Sequence, residues 1–220
     1  MSDKVILHLC ADIGSDSKVW EDNGYTVIKI GKDIGVENFS YDGEVYGIIA
    51  NPPCTEFSTA RANGRARNPD EGMFLVEHCL RIIEECKPKW WYIENPATGA
   101  LKNYLGKADY VYQPWEFGSP WTKRTALWGE FITPGVLYTK WEDVPKNDKL
   151  YTRPGREKPS LAFMHAKAHM KHIPEFEPFM DKVLSQPSWV SSGVGADMSF
   201  RSLCSQGFAE EFYEANKEEK

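Results

Sequence analysis

The sequence is short of several things, and each shortage removes a class of answer. It has five cysteines, an odd number, and no CxxC pair. A small secreted disulfide framework is thereby disfavoured. No apolar run approaches the ~20 residues that span a bilayer, and no basic-then-apolar leader opens the chain. The expectation is a soluble protein of a reducing compartment, where a thiol stays free to react. Excess positive charge is also lacking, since the formal net charge is −6. The molecule as a whole does not attract a polyanion, so any nucleic-acid surface must be a local basic patch. No internal repeat or low-complexity tract interrupts the chain. What remains is 220 residues, 41% hydrophobic with eight Trp, enough for one sizeable core.

The apolar runs alternate with helical spacing. Lys4 to Cys10 reads as a strand, followed by a polar loop and a helix from Lys18 to Asn23 that stops at Gly24. Tyr25 to Ile30 is β-branched and alternating, which completes a βαβ unit with parallel strands. Val45 to Ala50 reads as a buried strand cut off by Asn51-Pro52-Pro53. Met73 to Cys86 has apolar residues at Val76, Cys79, Leu80 and Ile83, a helix that Pro88 ends. Lys89 to Ile93 is the next strand, closed by Glu94-Asn95-Pro96, and Thr125 to Trp128 reads as one more. Residues 133 to 200 read as mostly loop with short elements, and Ala209 to Lys220 as an acidic, solvated helix. This alternation predicts an open α/β sheet, whose ligands bind at the carboxyl ends of the strands.

Three groups follow those strand ends. Pro52-Pro53-Cys54 places a thiol straight after a buried strand, with two prolines fixing the turn. Glu94-Asn95-Pro96 offers a carboxylate that can point into the same cleft. Lys123-Arg124 offers adjacent cations able to neutralise a phosphate or an anionic intermediate. Singly, each is matched by a bland alternative: a Pro-rich turn, a solvated Glu, a surface charge pair. The stretch Thr59 to Asn68 carries Arg61, Arg65 and Arg67 with no acid, as a phosphate-clamping loop requires. Lys146 to His172 holds seven Lys or Arg, among them Arg153, Arg156 and Lys158, against Asp148 and Glu157. His165, His169 and His172 in that stretch read as part of a basic surface, and no metal site is expected.

In order and spacing, the three groups resemble the motif set of the DNA cytosine-5 methyltransferases. "PPC" is similar to the nucleophile motif, "ENP" to the ENV motif and "WTKRTALW" to a degraded QxRxR motif. Pro52 to Ser58, Glu94 to Pro96, Tyr104 to Lys107, Pro120 to Gly129 and Arg201 to Asn216 resemble strings of small phage-type members. Asn51-Pro52-Pro53 also resembles the NPPY motif of amino-group methyltransferases, but Cys54 stands where those have an aromatic.

The resemblance implies a Rossmann-like, mostly parallel sheet of the class I methyltransferase type over residues 1–130. A small, irregular, basic recognition region would span 131–200, and a C-terminal helix of 201–220 would return to the core. It implies transfer of a one-carbon group to carbon 5 of cytosine in DNA. Cys54 would add to carbon 6, Glu94 would hold and protonate N3, and Arg124 with Lys123 would orient the base. Cationic neighbours should lower the Cys54 pKa below the ~8.5 of a free thiol. The target base must leave the stack to be reached.

The implied donor is S-adenosylmethionine, held by Asp12, Ile13, Gly14, Asp33, Asn51 and Pro52. The first loop departs from the family pattern: only Gly14 sits on a family glycine, and Asp12 replaces the first. The acid expected at the end of the second strand is Gly31, with Asp33 two residues on. These departures keep open a same-fold enzyme using another donor or a nucleotide substrate, or a non-catalytic DNA-binding homologue. The implied setting is the cytoplasm, including that of a phage-infected host cell.

Overall fold

In the computed structural model, residues 4–11, 13–58, 68–186 and 194–218 are described. Six strands form one sheet: β1 (Val5–Leu9), β2 (Thr26–Ile30), β3 (Val45–Ala50), β4 (Trp90–Pro96), β5 (Tyr110–Tyr112) and β6 (Thr125–Glu130). Their order is β2-β1-β3-β4-β6-β5. The pairs β1–β2, β1–β3 and β3–β4 are parallel, and β6 runs antiparallel to both β4 and β5. The chain moves outward from β1 to β2, then crosses back to lay β3 on the other side of β1. The strand order therefore switches between β1 and β3, which is where open α/β sheets bind ligands. The architecture is α/β, Rossmann-like and mostly parallel.

Side-chain alternation sorts the strands into two faces. Leu7, Leu9, Ile48, Ala50 and Ile93 pack with Val76, Cys79 and Ile82 of α2 (Pro69–Cys86). Ile6, Ile49, Trp90, Tyr92 and Leu127 pack with Trp20 of α1 (Lys18–Asp22) and with Phe208 and Phe212 of the C-terminal helix, Gln206–Asn216. Helix α2 begins a turn earlier than its apolar spacing predicts. Asn68 accepts the Glu71 N–H as an N-cap and Pro69 occupies the first turn. It ends where expected, through Lys87 in the left-handed region ahead of Pro88.

A further apolar cluster draws on Ile13, Trp121 and residues from Leu150 to Leu203. There the chain is built from short helices and 3-10 turns, as its Pro-rich composition suggests. Among the described residues, no helix is long and apolar enough to cross a membrane.

Two local expectations are corrected. Glu94-Asn95-Pro96 does not close β4 as a turn. All three residues belong to the strand, paired with Leu127, Ala126 and Thr125 of β6. The C-terminal helix is not a solvated tail, because Phe208, Ala209, Phe212 and Asn216 are buried and Ser205 caps its start.

Candidate active site

The sheet's alternation decides which polar residues meet. His8 follows Ile6 in parity, Asn51 follows Ile49 and Glu94 follows Tyr92, so all three side chains leave the same face near the carboxyl edge of β1, β3 and β4. The contacts agree. Asn51 Oδ1 lies 2.6 Å from His8 Nε2, and Asn51 Nδ2 donates to Asp16 Oδ2 at 3.2 Å and to Glu94 Oε2 at 3.5 Å.

Because β6 is antiparallel to β4, the residues entering it arrive at the same edge. Lys123 Nζ stands 3.8 Å from Glu94 Oε1 and donates to the carbonyls of Ser202 and Leu203 at 2.9 and 3.1 Å. Of the two adjacent cations, only Lys123 turns inward to the acid. Arg124 is exposed, and its carbonyl accepts the Ala97 N–H.

Cys54 opens a short 3-10 turn behind Pro53. Its position is stitched to the acid's strand: Asn95, next to Glu94, donates its side-chain N–H to the Pro52 carbonyl at 2.9 Å. The thiol senses both charged partners. Burial pushes its pKa up, the Glu94 charge pushes it further, and Lys123 pulls it down. The net direction is upward, which corrects the expectation of a lowered value. One partly shielded ammonium does not outweigh desolvation plus a nearby carboxylate.

Glu94 is itself raised above the ordinary Glu range. Burial is the main cause, and Asp16 adds to it against Lys123 and Asn51. Its Oε1 is buried without a hydrogen-bond partner, as is Oδ1 of Asn95. Buried polar atoms in native folds seldom lack partners, so these two oxygens mark where a ligand's donors would go.

The sequence-predicted donor residues lie around the switch point. Gly14 has φ +85 and packs under Lys29; a Cβ there would sit 2.5 Å from Lys29 Cε. Ile13 is buried in the C-terminal apolar cluster, and its carbonyl accepts Lys182 Nζ at 3.1 Å. Asp33 is exposed in the turn that follows β2. Pro52 is buried beside Asn51. Asp12, Arg61, Arg65 and Arg67 fall outside the described residues.

Arg153 and Arg156 are exposed and Lys158 half-buried. Arg153 covers the Phe163 ring, with its guanidinium carbon 4.9 Å from the centroid, and Lys158 lies over Trp115 and Trp141. Arg156 and Lys158 line a cleft of about 510 Å³ that reaches Thr122 and Ser160. Thr122 pairs with this segment through the Pro159 carbonyl and the Leu161 N–H, so the basic segment is clipped to the residue before Lys123. His165 pairs with Asp197 at 2.7 Å, and its backbone N–H donates to His169 Nδ1.

Sequence reasoning missed His8, Asp16 and the pivotal place of Asn51. One signal was available: His8 is the single ionisable residue inside the otherwise apolar run Val5 to Leu9.

Residues 17–107 match the family model described as C-5 cytosine-specific DNA methylase, a span that includes Cys54 and Glu94 but ends before Lys123. The "Probable DNA (cytosine-5)-methyltransferase" of Frog virus 3 (isolate Goorha) is 31% identical over 98 residues, which cover 37% of this chain and 44% of that protein. The match thus spans less than half the length of that viral relative. Among solved structures, one described as a candidate DNA modification methyltransferase encoded within an E. coli prophage aligns at 13% identity. It covers 85% of this chain and 56% of the other, with a TM-score of 0.40. Over residues 17–107, then, the chain is similar to the C-5 cytosine-specific DNA methylases.

Proposed function

We propose that the protein methylates carbon 5 of cytosine in DNA through a covalent adduct at Cys54. The observation that carries this reading is the convergence of one thiol, one carboxyl with a free oxygen and one ammonium at the carboxyl edge of β3 and β4.

Carbon 5 of cytosine is a weak nucleophile. Addition of the Cys54 sulfur to carbon 6 forms an S–C6 bond and frees the C5=C6 electron pair to act from carbon 5. Glu94, held readily in its protonated form, supplies a proton toward N3 and so neutralises the charge that addition develops in the ring. Lys123 steadies the same acid from the other side. After the new C–C bond forms, carbon 5 gives its hydrogen as a proton to solvent water, the S–C6 electron pair returns to sulfur, and N3 returns its proton to Glu94. Burial and the Glu94 charge work against a thiolate at Cys54, and Lys123 works in its favour.

The donor that the family implies is S-adenosylmethionine, which supplies an electrophilic methyl carbon when bound. The residues present fit it: the turn at Gly14 brings backbone to the end of β1, and the exposed Asp33 carboxylate stands beyond β2, suited to ribose hydroxyls. Ile13, Asn51 and Pro52 are assigned to the same donor site, with Asp12, the neighbour of Ile13 in the sequence. Exposed Arg153 and Arg156, with Lys158, are assigned to the DNA backbone, together with Arg61, Arg65 and Arg67.

The test is incubation with DNA containing 5-fluorocytosine and the donor. Fluorine cannot leave carbon 5 as a cation, so a stable adduct is expected on the Cys54 peptide and is lost in Cys54→Ala. Absence of any adduct, together with no 5-methylcytosine among nucleosides from ordinary DNA, would reject the reading. Another modified cytosine in that digest would instead identify a different one-carbon donor.

A further inference from the structure

We infer that Ser17, His8 and Asn51 form a one-way hydrogen-bond relay ending on Glu94, and that His8 is a positioning residue for that carboxyl. This rests on the role given to Glu94 above and adds how the group is held.

The direction of the relay follows from its carboxylate end. Asn51 Nδ2 faces Asp16 Oδ2 at 3.2 Å and Glu94 Oε2 at 3.5 Å. Two acceptors on that side require the amide to present its N–H groups there and its oxygen away. That oxygen meets His8 Nε2 at 2.6 Å, so Nε2 carries the proton. A neutral imidazole then has Nδ1 as an acceptor, and the Ser17 hydroxyl stands 2.8 Å from it, nearer than the 3.3 Å to its other acceptor, the Gly14 carbonyl. His8 is 2% exposed. Burial holds its pKa below the usual value and Lys29 helps, against Asp16, the Asn51 bond and Glu21, so the neutral form that the relay needs is the one present. The other titratable groups that interact with Glu94 are Lys123, Asp16, Cys54, Tyr92, Tyr112 and Cys204.

The relay has a chemical consequence. An N–H given to Oε2 leaves the carboxyl proton to Oε1, the buried oxygen that makes no hydrogen bond and has only the Lys123 ammonium 3.8 Å away. Without His8, the Asn51 oxygen loses its donor, and only the two long contacts to Asp16 and Glu94 hold the amide's orientation. An amide turned over would set a carbonyl against a carboxylate and drive the Glu94 pKa higher still.

The decisive measurement needs neither DNA nor donor. Infrared difference spectra of each protein against its E94Q counterpart, followed with pH, read the titration of Glu94. His8→Leu is expected to move that titration to higher pH, and Ser17→Ala to move it the same way by less. His8→Gln, whose amide can still donate to Asn51, should restore most of it. If His8→Leu does not fold, Ser17→Ala decides, because it leaves the imidazole in place. Titration at the wild-type pH in the folded variants overturns the relay. In turnover, His8→Leu should lower kcat by about 10-fold or more with KM little changed, as loss of an aligned acid does. The alkaline limb of the pH–rate profile should move up with the titration. Absence of turnover in the wild type would strike the cytosine reading alone and leave the titration result standing.

Discussion

Cys54, Glu94 and Lys123 influence one another strongly enough that each can be read through its neighbours. The Glu94 charge raises the Cys54 thiol and Lys123 lowers it, on top of the larger effect of burial. Glu94→Gln should therefore make Cys54 more reactive toward iodoacetamide at mildly alkaline pH while lowering methyl transfer by ~100-fold or more. Lys123→Met should make the thiol less reactive. Arg124→Ala, at an exposed position one residue away, should leave alkylation unchanged. Peptide-resolved mass spectrometry separates Cys54 from the other four cysteines. Equal rates in all three variants would show that the thiol does not sense the acid and the ammonium.

At the scale of the element, the sheet depends on close approach at its centre. Gly47 of β3 pairs with Trp90 of β4, and a Cβ on Gly47 would lie 2.2 Å from the indole ring. Trp90 also stacks on Trp20 with centroids 4.8 Å apart, so the ring cannot simply swing aside. Gly47→Ala is expected to cost ~1–3 kcal/mol, as overpacked cores do, and denaturant unfolding would register it. The parallel strands were legible because short apolar runs were set off by breakers, Gly24 and Pro88 ending the helices before β2 and β4 and Pro52 following β3. The end of β4 was not, because Glu, Asn and Pro are poor strand residues and only the partner β6 makes them extended. The three-residue β5 is too short to announce itself, and the C-terminal helix was misread because its cap and first buried ring, Ser205 and Phe208, lie ahead of the acidic stretch. The thiol, the carboxyl and the cation pair were readable through resemblance. The His8–Asn51 contact was not, since it joins residues 43 positions apart and requires the strand order to be known.

The molecule as a whole is acidic, so on the proposed function the attraction of DNA must come from where its cations are placed. Arg156 and Lys158 line one cleft whose wall is clipped to the residue before Lys123, and Arg153 covers the Phe163 ring beside it. Binding to duplexes should weaken as salt rises. Arg156→Ala should flatten the log–log slope by roughly one ion without changing sequence preference. Fluorescence anisotropy across a salt series measures both, and an unchanged slope would remove Arg156 from the backbone contacts. The tie from Asn95 to the Pro52 carbonyl bears on the same encounter. Sulfur and acid are mounted on one rigid piece before any polymer arrives. The entropy of assembling the reacting pair is then met during folding, and each catalytic encounter need only order the incoming nucleotide.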